Sequence, residues 1–163
     1  MPTLGKTLIT LVAVATSTGC FMADWNETHI YNPAWPPHAK FHNGQTMSMG
    51  LLLGLATMWY LYAPVKLPIP TSRKVGAGEK GNDGIWHAVQ RDVELANLQT
   101  VGLLGALYWV TQASAYLYPG SGAFDSDPGV DGRDHWVQAK LDTVLLTMLS
   151  VGWWLERKRI RTA

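Results

Sequence analysis

Two histidines, His38 and His42, stand four positions apart after a Trp-Pro-Pro corner in the stretch "HIYNPAWPPHAKFHNGQ". Proline suits the first turn of a helix because its φ is already fixed near the helical value. A helix that begins at Pro36-Pro37 would carry His38, His42 and Gln45 on one face. Two imidazoles one helical turn apart can ligate a metal ion or exchange a proton with a bound molecule.

Three roles for this histidine pair stay open. A metal ion could be held by His29, His38 and His42, with Asp24, Glu27 or Asp142 as other sources of a third ligand. The imidazoles could instead act as acid-base groups or as hydrogen-bonding partners of a substrate. In the third, structural role they only bond to their own loop and to lipid headgroups.

Asp142 is a carboxylate inside an apolar segment, where an ionised group is costly unless it faces a partner or a cavity. Such residues are functional-site candidates by default. We expect Asp142, His38 and His42 to form a catalytic set, since a buried carboxylic acid beside a histidine suits proton transfer. A pair with Lys140, or extension toward the near interface, is the structural alternative.

Other polar and aromatic residues are expected at the same end of the protein as this set. Such residues would contact a substrate there through hydrogen bonds and ring contacts. The candidate substrate-binding residues are Asp24, Glu27, Trp35, Gln45 and Gln112.

Four apolar segments must position these residues. The chain is 47% hydrophobic and 15% charged, and each segment is close to the roughly 20 residues that span a bilayer as a helix. We expect one all-α integral membrane domain over 1–163, a multi-pass four-helix bundle. Its helices are expected at about 5–23, 38–64, 85–118 and 135–156.

The first segment has an alternative, because a basic start followed by a short apolar run and small residues also describes a secretory signal peptide. We favour an uncleaved helix.

Loop charges predict the topology of the bundle. Lys and Arg are concentrated between segments two and three and in the C-terminal tail, whereas the loop between segments three and four is acidic. Because cytoplasmic loops carry the excess of Lys and Arg, both termini are expected in the cytoplasm. The loops over 24–44 and 119–134 are then expected on the outer side.

Two further patterns concern the helices themselves. Gly50 and Gly54 have the small-xxx-small spacing that lets membrane helices approach closely, so they predict a packing face on helix two. Helix three is expected to begin with a solvated polar stem, stabilised by local ion pairs such as Arg91 with Glu94.

The composition also excludes some classes. The formal net charge of +1 and the lack of a basic stripe or known motif argue against a nucleic-acid partner. A single cysteine, Cys20, excludes an internal disulfide framework and a cysteine-rich metal site.

The stretch "ADWNETHIYNPAWPPHAKFHNGQTMSMG" resembles the signature of a little-characterised family of small microbial four-helix integral membrane proteins. More loosely, the architecture is similar to DoxX-like proteins and to the emopamil-binding and sterol-isomerase superfamily, in which four-helix bundles hold apolar ligands. The resemblance implies a hydrophobic small-molecule ligand and transfers no catalytic residue.

Together these patterns predict a membrane protein that binds or transforms a small lipophilic molecule at the outer end of the bundle. If it is an enzyme, isomerisation or cyclisation by proton transfer is expected first, and metal-dependent oxidation at the histidine cluster second. The alternative from another class is an accessory subunit of a larger membrane complex. Membrane lipids are expected partners in each case.

Overall fold

A computed structural model of the chain describes residues 2–63, 82–124 and 132–162. Within these ranges the chain is all-α, with no strand. Four long helices are present, and a short 3-10 helix (Ala115–Leu117) follows the third. They are α1 (Leu4–Asp24), α2 (Pro37–Tyr62), α3 (Asn82–Ser114) and α4 (Val137–Thr162). The predicted inner-loop cations Lys66, Arg73, Lys74 and Lys80, and the outer-loop carboxylates Asp125, Asp127 and Asp131, lie outside the described residues.

Local sequence explains where the first two helices begin. The hydroxyl of Thr3 caps α1 by accepting a 3.2 Å hydrogen bond from the backbone N–H of Lys6, as expected for threonine at this position. Pro36 is the N-cap of α2 and Pro37 its first residue. The predicted start of helix two at the proline pair is therefore confirmed.

The four helices form an antiparallel bundle. Each helix packs against two neighbours in chain order around the bundle, and α1 and α3 face each other more loosely across the diagonal. Asn43 on α2 donates to Asp24 at the end of α1, and Asn97 on α3 donates to the carbonyl of Tyr60 near the end of α2. We call the end that holds Leu4, Tyr62 and Thr162 the inner end, and the opposite end the outer end, after the predicted topology.

The core is apolar at its centre but contains buried polar groups. Ile9, Val12 and Val101 are fully buried there. Trp109 is also buried, and its indole Nε1 donates a 2.9 Å hydrogen bond to the hydroxyl of Thr16 on the diagonal helix. This bond satisfies the indole N–H, which is the usual arrangement for a buried tryptophan.

Glycines allow the helices to approach closely. A Cβ on Gly50 would lie 2.8 Å from the Cys20 thiol and 3.0 Å from the carbonyl of Thr16, and a Cβ on Gly54 would collide with Ser17 and the carbonyl of Ala13. The predicted packing face of helix two is therefore confirmed, and it packs against α1.

The membrane part of the prediction receives only weak support from composition. Of the described helices, α1 is the one that is long and apolar enough to cross a membrane, and a signal sequence or a buried core helix would pass the same test. The expected four spans are therefore not established. The apolar runs of the other helices are interrupted by polar residues, such as Gln45 in α2, Asn97 and Gln99 in α3, and Lys140 and Asp142 in α4.

Candidate functional site

The outer loop between α1 and α2 holds one group of the predicted residues. The Asp24 carboxylate accepts a 2.8 Å hydrogen bond from Asn43, and its other oxygen lies 3.7 Å from Nε2 of His29. The His29 ring packs edge-on against Trp35, with ring centroids 4.8 Å apart. Asp24, His29 and Trp35 therefore form one contact set that joins the loop to both helices.

Two turns built by asparagine side chains shape this loop. The side-chain oxygen of Asn26 accepts from the backbone N–H of Thr28 at 2.9 Å, and that of Asn32 accepts from the N–H of Ala34 at 2.9 Å. Asparagine commonly stabilises turns through such bonds. The two turns bring His29 back over Asp24.

His38 and His42 form a second group on the exposed first turns of α2. Their Nε2 atoms are 3.1 Å apart, and Nδ1 of His42 lies 3.3 Å from the side-chain oxygen of Gln45. Because that oxygen can only accept, Nδ1 of His42 carries a proton, and in the neutral ring Nε2 must accept from Nε2 of His38. The shared face predicted for these three residues is confirmed, and the pair can pass a proton between its rings.

Asp142 belongs to a third group, in the core. Its side chain is 2% exposed, and among the described residues neither carboxylate oxygen has a hydrogen-bond partner. Asp142 and Asp24 both lie close enough to Tyr108 to interact electrostatically with its hydroxyl. The Tyr108 ring and the Cys20 thiol both face Gly50. Asp142 is therefore surrounded by other helices, as its position within an apolar segment suggested.

The structure does not pair Asp142 with Lys140. The Lys140 ammonium lies 2.6 Å from the carboxylate of Asp134, just before α4, and this contact lowers the pKa of Asp134 below its usual value. Lys140 therefore extends away from the core toward the outer end.

The remaining predicted substrate contacts are spread out. Gln112 on α3 donates to the side-chain oxygen of Gln138 on α4 at 3.4 Å, and Glu27 is exposed in the outer loop. In the described ranges, no hydrogen bond, ion pair or ring contact joins Asp142 to His38 or His42. The three-residue catalytic set is therefore not assembled by direct contacts.

The predicted three-residue metal site is likewise not assembled among the described residues. Among the residues that the structure describes, no three His, Cys, Asp or Glu side chains lie close enough together to hold a metal ion. His29 contacts Asp24, whereas His38 and His42 contact each other. A metal ion held by the His38 and His42 pair stays a prediction.

A polar cavity of about 330 Å³ lies at the inner end, where sequence analysis placed no site. Buried apolar side chains, including Leu61, Leu98 and Val101, form its floor. Its charged lining residues are Lys6, Glu94, Glu156 and Arg159. We call it the inner-end cavity.

Comparison with known proteins identifies the family. Residues 8–79 and 75–163 match DUF6640, a family of unknown function. The chain belongs to DUF6640. The match gives no support to a relationship between this DUF6640 chain and DoxX-like or emopamil-binding proteins. No curated protein and no solved structure matches the chain.

The inner-end cavity of this DUF6640 chain has two sequence signals. Glu156 and Arg159 are an i, i+3 pair directly after the last apolar segment, and Glu94 and Asn97 lie on the polar face of the helix-three stem. That face was expected to be solvated, with an ion pair between Arg91 and Glu94. Instead, Glu94 accepts a 2.8 Å hydrogen bond from Gln90, and Asn97 donates to the carbonyl of Tyr60.

Proposed function

We propose that this chain is an integral membrane four-helix bundle that binds a small lipophilic molecule in a groove between α3 and α4. The distribution of polarity supports the membrane part. All four helices expose large apolar side chains along their middle turns. These include Leu11, Val14, Leu51, Leu52, Leu55, Leu103, Leu107, Val110, Val144 and Val151.

Polar side chains are buried within the mainly apolar core, since Asp142, Glu156, Thr16 and Thr57 are each no more than 2% exposed. A soluble bundle normally buries its apolar stripe and exposes its charges. An exposed apolar surface that encloses polar groups is expected when the surrounding solvent is hydrocarbon.

Exposed hydroxyls on the same middle turns fit this environment. Thr143 and Thr147 on α4 each donate to the carbonyl four residues earlier, at 2.7 and 2.6 Å, and Thr111 on α3 does so at 2.9 Å. Such bonds give each of these hydroxyls a hydrogen-bond partner where no water is present to supply one. These threonines are therefore compatible with contact to lipid.

The observation that carries the binding proposal is the groove itself, which has a volume of about 530 Å³ and lies between α3 and α4. Gly102 leaves room beside the indole of Trp153, which would lie 3.0 Å from a Cβ at that position. Trp153 is fixed by a 3.1 Å hydrogen bond from Nε1 to the carbonyl of Leu98. Ala106 and Trp154 also line the groove.

The composition of the groove indicates the kind of ligand. Its lining is mostly aliphatic and aromatic, and Gln99 and Ser150 are its polar side chains. Ligand sites usually combine such an apolar lining with a few polar groups that fix orientation. An elongated lipophilic molecule with one hydrogen-bonding group is therefore the best match.

Photolabelling tests this proposal. Purified protein in lipid nanodiscs is irradiated with a photoreactive sterol and, separately, with a photoreactive fatty acid, each with and without excess unlabelled competitor. We expect saturable labelling of α3 and α4 peptides that is lost in Ala106→Trp, because the larger ring fills the groove. Leu107→Trp, on the exposed side of α3, is the control and should label normally. Labelling that no competitor reduces, or that survives Ala106→Trp, would contradict the proposal.

A second candidate function is proton transfer at the outer end by His38, His42 and Asp142. Two observations favour it, namely the hydrogen-bonded imidazole pair and the carboxylate of Asp142, which has no hydrogen-bond partner among the described residues.

A further inference from the structure

The inner-end cavity contains an ion pair between Glu156 and Arg159, and the carboxylate of this pair already has its hydrogen-bond donors. The carboxylate of Glu156, 2% exposed, accepts from the hydroxyl of Thr3 through one oxygen and from Nε of Arg159, at 2.8 Å, through the other. Both carboxylate oxygens therefore have donors within the protein. Glu156 and Arg159 therefore form one polar side of the cavity. The hydrogen bond from Thr3 to Glu156 joins the start of α1 to the end of α4.

Two further charges line the same cavity but do not pair. The Lys6 ammonium lies 5.4 Å from the centre of the Tyr62 ring, and Glu94 accepts its hydrogen bond from the neutral amide of Gln90. In the described part of the chain, no ion pair joins Lys6 to Glu94 or to another carboxylate. Within the described residues, a cation and an anion without an ion-pair partner therefore line one cavity.

The floor of the cavity is apolar, whereas Tyr62, Gln90 and Asn97 add uncharged polar groups to its lining. Leu61, Leu98 and Val101 are each at most 7% exposed and lie at its floor. Charges beside such a surface are less hydrated than charges on an open surface, so each gains more from a partner of opposite sign. A single molecule that carries both signs can satisfy Lys6 and Glu94 together.

We propose that the inner-end cavity binds an amphipathic zwitterion. Its carboxylate or phosphate contacts Lys6, its primary ammonium contacts Glu94, and its apolar part lies against Leu98 and Val101. This chemistry has two sources, an amino acid with an apolar side chain or the headgroup of an ethanolamine phospholipid. The cavity is separate from the groove between α3 and α4. A negative result for zwitterion binding would therefore leave the groove proposal intact.

The experiment uses the full chain purified in an uncharged detergent, with two arms. In the first arm, leucine and phenylalanine are titrated by calorimetry. In the second, phosphatidylethanolamine and phosphatidylcholine are added and bound lipid is counted by native mass spectrometry. We expect saturable binding in one arm, with phosphatidylcholine bound more weakly because its quaternary ammonium cannot donate a hydrogen bond to Glu94.

Charge-removing variants locate the site. Lys6→Gln and Glu94→Gln should each weaken binding about tenfold or more, the usual effect of losing one charge-assisted hydrogen bond. Lys6→Arg should retain binding because it keeps the charge. Arg161→Gln and Asp92→Asn are matched controls, since both residues are exposed and neither lines the cavity. Circular dichroism confirms that each variant is folded.

Several results would overturn the proposal. The first is that the wild-type protein binds neither class of ligand. The second is that phosphatidylcholine binds as tightly as phosphatidylethanolamine. The third is that the control variants weaken binding as much as Lys6→Gln and Glu94→Gln do. Should Lys6→Gln fail to fold, the comparison of Glu94→Gln with Asp92→Asn decides the outcome alone.

Discussion

At the scale of single residues, the main contrast is between two buried carboxylates on α4. Asp142 and Glu156 are each 2% exposed, but only Glu156 has donors, from Thr3 and Arg159. In the part of the chain that the structure describes, the oxygens of Asp142 have none. We therefore expect the two carboxylates to affect the stability of the protein in opposite directions.

Neutral substitutions should separate these two roles. Asp142→Asn removes a partnerless carboxylate, so we expect an unchanged or raised melting temperature. Glu156→Gln leaves Arg159 without its carboxylate and should lower the free energy of unfolding by about 1–3 kcal/mol. Thermal unfolding in one detergent measures both variants. A fall of similar size in both would show that Asp142 has a stabilising partner.

The burial of Asp142 could be predicted from the sequence but that of Glu156 could not, for a physical reason. Asp142 interrupts an apolar run, so its burial is implied by its neighbours in sequence. The apolar run ends just before Glu156, and that residue is buried because Thr3 and Gly5, at the other end of the chain, pack against it. Contacts between distant segments of this kind leave little trace in local spacing.

At the scale of elements, the sequence predicts the helices well and their ends less well. The proline pair fixes the start of α2, and Gly50 and Gly54 identify its packing face. Helix α4, however, continues to Thr162 instead of ending near 156. The basic residues Arg159 and Arg161 in its last turn favour this extension, because cations stabilise the negative end of a helix.

The close packing of α1 and α2 gives an element-scale prediction. Gly54→Ala places a methyl group against Ser17 and the backbone of Ala13, so it should destabilise the bundle by about 1–3 kcal/mol, as overpacking does. Gly44→Ala on the same helix is the control. Among the described residues, no atom of another segment lies within 4 Å of a Cβ built at this position, so the substitution should be neutral or slightly stabilising. Chemical denaturation measures both variants, and equal stability would show that α1 and α2 are not in close contact at Gly54.

At the scale of the whole molecule, loop charges and the fold agree on which ends lie together. The antiparallel bundle brings the start of α1 and the end of α4 to the end where α2 stops and α3 begins. The charge bias predicts the same grouping, and its assignment to the cytoplasm stays a prediction. The inner-end cavity and the groove between α3 and α4 were harder to predict, because each is lined by side chains from more than one helix.

The central claim is that lipid covers the middle turns of all four helices. Maleimide labelling of single cysteines in isolated, permeabilised membranes tests it directly, in a Cys20→Ala background. We call the exposed apolar side chains along the middle turns of the helices the apolar band. Leu55→Cys and Val144→Cys lie in this band, where the native side chains are 48% and 55% exposed. Ser121→Cys and Thr162→Cys report on the two ends, which are also exposed.

We expect the band cysteines to react at least about tenfold more slowly than the end cysteines with a water-soluble maleimide, because the reactive thiolate does not form in hydrocarbon. All four should react at similar rates after denaturation. Equal rates in native membranes would mean that water contacts the band, and would contradict the membrane-spanning bundle.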